Sequence, residues 1–239
     1  LAQTIWGHIV PFRGASARIE RAEVSSVVSL HKLRSPARVH KSKSSQFTFV
    51  DLFAGAGGFS IGFKRAGLQP LVAADNSKHV YATHKLNYPN VPFVLGDLGT
   101  NEAQAAVSNE ASDSPFVVVG GPPCQGFSVF GRRRLARKLG VEARSDPRNR
   151  LVFSYVDMIS KLTPRWVVME NVRGFASMDA GKFVTQIVNE LRKLGYVNIE
   201  WRILDAADYG VPQRRKRFVL IGNRTGHVIP WPKPKFFEN

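Results

Sequence analysis

Four apolar residues at 116–119 are followed at once by two glycines, two prolines and Cys124, the only cysteine of the chain. A β-branched run that stops in this way predicts a buried strand with an abrupt end. The two prolines fix the backbone before the cysteine, so we expect the thiol on a stiff loop just beyond the strand. Open parallel sheets bind ligands at that edge. A lone cysteine is often a small buried hydrophobe, but this polar, glycine-rich loop favours a presented nucleophile.

The rest of the chain alternates between strand-like and helix-like patterns, which predicts one large α/β domain. Strands are predicted at 47–53, 70–74, 91–95, 116–119, 166–169, 199–204 and 218–222. Helices are predicted at 59–66, 77–86, from about 100, 151–162 and 182–194. The first strand, the glycine turn at 54–58 and the first helix form the arrangement that holds nucleotide cofactors in Rossmann folds. A purely structural turn is the alternative interpretation.

Two acids stand at the ends of predicted strands. Asp75 lies 20 residues after Gly55, where a carboxylate can accept hydrogen bonds from both ribose hydroxyls of a nucleoside cofactor. Asp97 follows the strand at 91–95, and its carboxylate is suited to accept from an exocyclic amine such as that of adenine. The alternative for Asp97 is an N-cap of the helix that begins near residue 100.

Charge and composition restrict the class of protein. The formal net charge is +16, which favours a polyanionic partner, although solubility alone is the alternative. A single cysteine excludes a disulfide framework and a four-cysteine metal site. No apolar run reaches membrane-spanning length and the N-terminus lacks a secretion signal, so we expect a soluble, cytoplasmic protein without a membrane partner.

Two basic segments differ from the rest of the chain. Residues 1–46 carry eight Lys or Arg against two Glu and predict a weakly structured extension that contacts phosphate or a partner chain, or a plain disordered tail. Residues 130–150 carry eight basic residues against two acidic ones and predict a mobile loop that closes over phosphate. Position 1 is not methionine, which we interpret as a trimmed chain or a fragment.

Four spaced motifs together carry a family resemblance. They are Phe53-x-Gly55-x-Gly57, Pro122-Pro123-Cys124-Gln125, Glu170-Asn171-Val172 and Gln213-Arg214-Arg215-x-Arg217. In this order they resemble the cytosine-5 DNA methyltransferases over residues 47–223. The resemblance implies a Rossmann-like, S-adenosylmethionine-dependent fold, with a mostly parallel sheet and helices on both faces. It also implies bacterial DNA methylation in a restriction-modification system and double-stranded DNA as partner, hence a nucleoid-associated protein.

The resemblance assigns roles position by position. The cofactor site it implies consists of Phe53, Gly55, Gly57, Asp75, Asn76, Asp97, Leu98, Pro122 and Leu151. The catalytic residues it implies are Cys124 as nucleophile, Glu170 as acid, and Arg215 and Arg217 as holders of the target base. No metal is implied.

The chemistry of the family explains these residue types. Carbon 5 of cytosine is a poor nucleophile, so a thiolate first adds to carbon 6, which splits one difficult step into two easier ones. A carboxylic acid at ring nitrogen 3 and guanidinium donors at the carbonyl oxygen then stabilise the charge that develops. A stacked base is out of reach of these groups, so the cytosine must be flipped out of the duplex.

The family pattern continues beyond the arginine motif with a target-recognition region, an Arg-rich helix and a Gly-Asn motif, none of which is found in this sequence. We therefore expect a catalytic domain at 47–223, with residues 224–239 as a proline-rich exit toward a missing region. Either a second polypeptide supplies that region, or the chain is a fragment, and little activity is expected alone. The alternatives are an RNA cytosine-5 methyltransferase and an inactive nucleic-acid-binding remnant; a dehydrogenase would leave the Cys and Arg motifs unexplained.

Overall fold

The structure, a computed structural model, describes residues 47–111, 114–123 and 150–236. The predicted extension at 1–46, the predicted nucleophile Cys124 and most of the arginine-rich loop lie outside the described residues. The family motifs at Phe53, Glu170 and Gln213 lie inside them.

The predicted order of elements is confirmed within the described residues. The strands are β1 (Thr48–Leu52), β2 (Gln69–Asp75), β3 (Phe93–Leu95), β4 (Val117–Gly120), β5 (Trp166–Val172), β6 (Asn198–Asp205) and β7 (Lys216–Asn223). The α-helices are α1 (Gly58–Arg65), α2 (Lys78–Asn87), α3 (Asn101–Ala111), α4 (Arg150–Leu162) and α5 (Lys182–Lys193). Two 3₁₀ segments, Arg173–Gly181 and Ala206–Tyr209, precede α5 and β7.

The seven strands form one sheet in the order β3-β2-β1-β4-β5-β7-β6. Every pairing from β3 to β5 is parallel, whereas β7 is antiparallel to both of its neighbours. The order reverses between β1 and β4, and ligands bind beside such a switch point in open α/β sheets. The carboxyl ends of β1, β4 and β5 therefore point to one edge, with the motifs that follow them.

Apolar side chains cover both faces of this sheet, which confirms the predicted α/β layering. One buried cluster joins α3, α4 and α5 to the sheet through residues such as Val107, Ile159 and Ile187. The cluster on the other face includes Phe63 of α1 and Ile229 of the C-terminal segment. No helix within the described residues is long and apolar enough to cross a bilayer.

Strand β5 is longer than the sequence predicted. It was expected at 166–169, but it continues through Glu170 to Val172 because β7 pairs with it along its whole length, with Val172 opposite Arg217. The polar residues at the end of this strand do not follow a strand pattern. The antiparallel partner that extends the strand was not predicted. Glu170 is thus held by a strand rather than by a loop.

The sheet contains one fully buried acid, Asp51 of β1. Its Oδ2 accepts hydrogen bonds from the backbone N–H and the hydroxyl of Ser60 at 3.1 and 2.7 Å, which fixes the first turn of α1. Its Oδ1 has no hydrogen-bond partner among the described residues. Burial raises the pKa of Asp51 to about 7, and the Ser60 bonds oppose that change only in part.

The raised pKa of Asp51 predicts a specific dependence of stability on pH. Between about pH 4 and 7 the folded chain retains a proton on Asp51 that the unfolded chain has lost. This contribution to the free energy of unfolding should therefore fall as pH rises, by up to about 4 kcal/mol, and level off above pH 7. Urea unfolding at several pH values should show a shallower slope for Asp51→Asn than for the unaltered chain. The control Asp157→Asn changes an exposed acid of α4 and should keep the original slope; equal slopes for all three would contradict the assignment.

Candidate active site

The glycine turn after β1 is fixed by the carboxylate of Asp75. Its Oδ2 accepts from the backbone N–H of Gly55 at 3.0 Å, and its Oδ1 accepts from the backbone N–H of Ser77 at 3.0 Å. Gly57 has φ 88°, and a Cβ there would lie 2.9 Å from Cε2 of Tyr88. The turn therefore requires glycine at 57 for its own packing, which was not foreseen.

A cavity of about 260 Å³ opens beside this turn and is called the Asp75 cavity. It is lined by Phe53, Asp75, Asn76, Gly96, Asp97, Leu98, Gly121, Pro123 and Leu151. Six of the nine residues predicted to bind the cofactor are thereby brought together from three strand ends and one helix. Carboxylates with free lone pairs suit ribose hydroxyls and an exocyclic amine, and the apolar walls suit a purine ring.

The other three predicted cofactor residues do not line the Asp75 cavity. Gly55 is joined to it through its bond to Asp75, whereas Gly57 faces Tyr88. Pro122 is buried, and its carbonyl accepts from Nδ2 of Asn171 at 3.0 Å. The neighbouring Pro123 lines the cavity instead.

Asp97 was left with two interpretations, and the N-cap interpretation is wrong. Helix α3 begins one residue after Thr100, and the hydroxyl of Thr100 accepts from the backbone N–H of Ala103 at 3.3 Å. Thr100 is therefore the capping residue. Asp97 instead forms an ion pair with Arg150 across the cavity rim.

A second cavity, of about 370 Å³, lies next to the first and is called the Glu170 cavity. It is lined by Phe53, Ala54, Gly58, Phe59, Phe63, Gly121, Val168, Glu170, Leu204, Ala206, Arg215, Arg217 and Val219. Phe53 and Gly121 line both cavities and so form a shared wall. Phe53 has φ 56°, an uncommon conformation for a residue with a side chain, at the point where the cavities meet.

Three of the four predicted catalytic residues line the Glu170 cavity. Nε of Arg217 lies 2.7 Å from Oε1 of Glu170, and both side chains are about three-quarters buried, with 24% and 27% exposed. Arg215 lines the same space. The fourth, Cys124, lies outside the described residues, but Gly121 and Pro123 lead the chain toward it from the shared wall.

The protonation of Glu170 is set by opposing effects. Burial is the largest and raises the pKa of this carboxyl, whereas the charges of Arg217 and Arg215 and the Arg217 hydrogen bond lower it. Burial prevails, so the pKa of Glu170 lies above that of an ordinary glutamate. A carboxyl of this kind can hold a proton nearer to neutral pH, as a general acid requires.

Two anchors of the site were missed by sequence reasoning. Asn171, which is 4% exposed, ties the Pro122 loop to β5 through the bond described above. Asp205 at the end of β6 accepts from the backbone N–H of Arg215 at 2.8 Å and lies 3.4 Å from Nη1 of Arg214. Asn171 was quoted only as part of a motif. Asp205 ends the strand that precedes the arginine motif in the chain, and that position was the available signal.

A comparison with protein families shows which family the chain belongs to. A family model described as C-5 cytosine-specific DNA methylase matches residues 47–239. The chain belongs to this family. The resemblance inferred from the four motifs is therefore confirmed.

The similar curated proteins are Type II methyltransferases from bacteria. M1.HphI of Haemophilus parahaemolyticus is 38% identical over 191 residues, which make up 80% of this chain and 50% of the relative. M.XorII of Xanthomonas oryzae pv. oryzae is 38% identical, over 77% of this chain and 42% of the relative. M.AquIA of Picosynechococcus is 35% identical, over 77% of this chain and 75% of the relative. The chain thus spans about half the length of the first two relatives and most of the third.

Solved structures show the same fold. A candidate DNA modification methyltransferase encoded within an E. coli prophage matches with a TM-score of 0.60 and 28% identity, over 74% of this chain and 47% of that one. The Entamoeba histolytica methyltransferase EhMeth matches with a TM-score of 0.62 over 81% of this chain and 58% of that one, at 19% identity. The predicted Rossmann-like fold is confirmed.

Proposed function

We propose that this chain is the catalytic part of a DNA (cytosine-5-)-methyltransferase, which methylates carbon 5 of a flipped-out cytosine with S-adenosylmethionine as donor. The observation that carries the proposal is the pair of cavities that share Phe53 and Gly121 as a wall. One cavity presents two carboxylates, and the other presents a carboxyl group paired with a guanidinium. A methyl donor in one cavity and an acceptor base in the other can meet where the two cavities adjoin.

The Asp75 cavity suits the nucleoside part of the cofactor. Asp75 would accept from the ribose hydroxyls, Asp97 from the adenine amine, and Leu98 and Leu151 would contact the purine ring. When bound, S-adenosylmethionine supplies an electrophilic methyl group on its sulfonium centre. The residues that line the Asp75 cavity would hold the cofactor next to the shared wall.

In the Glu170 cavity, the ion pair suits one edge of a cytosine. Protonated Glu170 would hydrogen-bond ring nitrogen 3, and the remaining N–H groups of Arg217 would donate to the carbonyl oxygen. Arg215 would add a second guanidinium to that oxygen or to a neighbouring phosphate. Because Nε of Arg217 already contacts Glu170, both groups are held in place before a base arrives.

Cys124 is proposed as the nucleophile that adds to carbon 6 of the base. An ordinary thiol has a pKa of about 8.5, so only a few per cent is ionised at pH 7 without help. The arginines of the loop and of the Glu170 cavity, together with the positive sulfonium, would supply that help. The addition raises the electron density at carbon 5, which would then take the methyl group. Water would accept the proton of carbon 5, and the C–S bond would break as the thiolate leaves.

A complementary polypeptide is the proposed partner of this chain, defined as one that carries the target-recognition region and the Gly-Asn motif. The aligned stretch makes up 75% of M.AquIA but only 42% of M.XorII, so relatives differ in how much further chain they carry. The positive charge of +16 suits DNA as the substrate and suggests a nucleoid-associated bacterial protein with a place in a restriction-modification system.

Complementation tests the proposed partner. The chain alone should transfer little tritiated methyl group to duplex DNA, and addition of the complementary polypeptide should raise transfer by at least about 100-fold because it completes recognition and the cofactor site. Filter-bound radioactivity measures the transfer, with tRNA as an alternative acceptor. Robust site-specific methylation by the chain alone would refute the need for a partner, and preferential labelling of tRNA would refute DNA as substrate.

Replacement of Cys124 tests the nucleophile. With the complementary polypeptide and S-adenosylmethionine present, the unaltered chain should form a covalent complex with a duplex that contains 5-fluorocytosine, because the fluorine blocks release of the base. The complex should survive denaturing electrophoresis. Cys124→Ala and Cys124→Ser should not form it, and an adduct in the alanine variant would end the assignment.

Replacement of Glu170 tests the acid. Glu170→Gln should lower methyl transfer by about 100-fold or more because it removes the proton donor, while cofactor binding stays nearly unchanged. The rate of the unaltered enzyme should also decline as pH rises through the raised pKa of Glu170, since the proton is then lost. Glu110→Gln alters an exposed acid of α3 and serves as control. Equal losses of methyl transfer and of cofactor binding would mean that Glu170 is structural.

A further inference from the structure

An ion pair at the rim of the Asp75 cavity is not explained by the roles given so far. Nη2 of Arg150 lies 2.6 Å from Oδ2 of Asp97, and the backbone N–H of Gly99 donates to Oδ1 of Asp97 at 2.7 Å. Both carboxylate oxygens are therefore held, one from each side. A carboxylate has about four lone-pair positions, so each oxygen retains one for a ligand.

The Arg150 guanidinium lies directly against the turn after Asp97. A Cβ at Gly99 would meet the guanidinium and displace it from its present position. Arg150 does not line the cavity, but its neighbour Leu151 does, together with Asp97. The guanidinium thus holds the carboxylate without lining the cavity itself.

Stability does not explain the ion pair between Arg150 and Asp97. The two side chains are 55% and 40% exposed, and pairs this exposed add little to stability. Arg150 is also the first residue of α4, where the helix dipole does not favour a cation. The role of the pair therefore lies in how it holds the Asp97 carboxylate.

We propose that Arg150 is a positioning residue for the cofactor, which fixes Asp97 so that a free lone pair of its carboxylate faces the exocyclic amine of a bound purine. This inference rests on the proposed function. An Asp97 carboxylate held in this way selects for a purine that carries a hydrogen-bond donor at carbon 6. Without Arg150 the Asp97 side chain rotates more freely. Ordering of the carboxylate then reduces the binding free energy of the ligand.

Calorimetric titration of the full chain, together with the complementary polypeptide, with two ligands tests this role. One ligand is S-adenosylhomocysteine, and the other is its purine analogue, in which hydrogen replaces the exocyclic amine. Arg150→Met should weaken binding of the first about tenfold and binding of the second no more than about twofold. The melting temperature of the unliganded chain should stay within about 2 °C, because an exposed pair contributes little.

Lys182→Met provides the matched control, since it removes a cation from the first residue of another helix, α5. It should leave the affinity for both ligands unchanged. In an Asp97→Asn background, Arg150→Met should have no further effect on S-adenosylhomocysteine, as expected when one residue acts through the other.

Three results would overturn the inference. If Arg150→Met lowered the affinity for both ligands equally, Arg150 would have a general structural or electrostatic effect. If it lowered the affinity for neither, Arg150 would have no role in cofactor binding. An undiminished effect of Arg150→Met in the Asp97→Asn background would show that it does not act through Asp97. Failure of the unaltered chain to bind either ligand in the presence of the complementary polypeptide would instead refute the proposed cofactor site, and this inference with it.

Discussion

The antiparallel pairing of β7 with β5 determines where the charged groups of the Glu170 cavity lie. Val172 is opposite Arg217 and Glu170 is opposite Val219, so Glu170 and Arg217 occupy diagonal positions on the same face of the two strands. Long side chains span that diagonal, which gives the contact of 2.7 Å. A shift of register by one residue would send Arg217 to the opposite face. The pairing of the strands thus fixes the distance between acid and guanidinium.

The shared wall of the two cavities depends on a second constraint, the close approach of β4 to its neighbours. A Cβ at Gly120 would lie 2.9 Å from the carbonyl oxygen of Leu52 and from Cε2 of Tyr155. The hydroxyl of Tyr155 donates to the carbonyl oxygens of Val168 and Val118, at 2.8 and 3.2 Å. It thereby connects β5 with β4. The segment that leads to Cys124 therefore leaves a strand end that is held on both sides.

Sequence patterns predicted the elements well, because β-branched runs, glycines and helical spacing are local signals. All seven strands and five α-helices of the described residues occur where they were predicted, with boundaries shifted by a few residues. Pairing is not local, so the antiparallel β7 and the longer β5 were missed. For the same reason, motifs identified Glu170 and Arg217 but not their contact. The bonds of Asp205 to Arg215 and of Arg150 to Asp97 join residues 10 and 53 positions apart, and no spacing rule predicts them.

The two acids Asp51 and Glu170 illustrate how desolvation has different consequences in different surroundings. Both have a raised pKa because of desolvation. Asp51 is fully enclosed and, among the described residues, its carboxylate accepts hydrogen bonds only from Ser60, whereas Glu170 faces a cavity and two arginines. The arginines limit the rise at Glu170, so its proton can be exchanged with a ligand that enters the cavity. A cytosine that draws the Arg217 guanidinium toward its carbonyl oxygen would weaken the contact with Glu170. The pKa of Glu170 would then rise further, and the acid would be protonated when the base needs it.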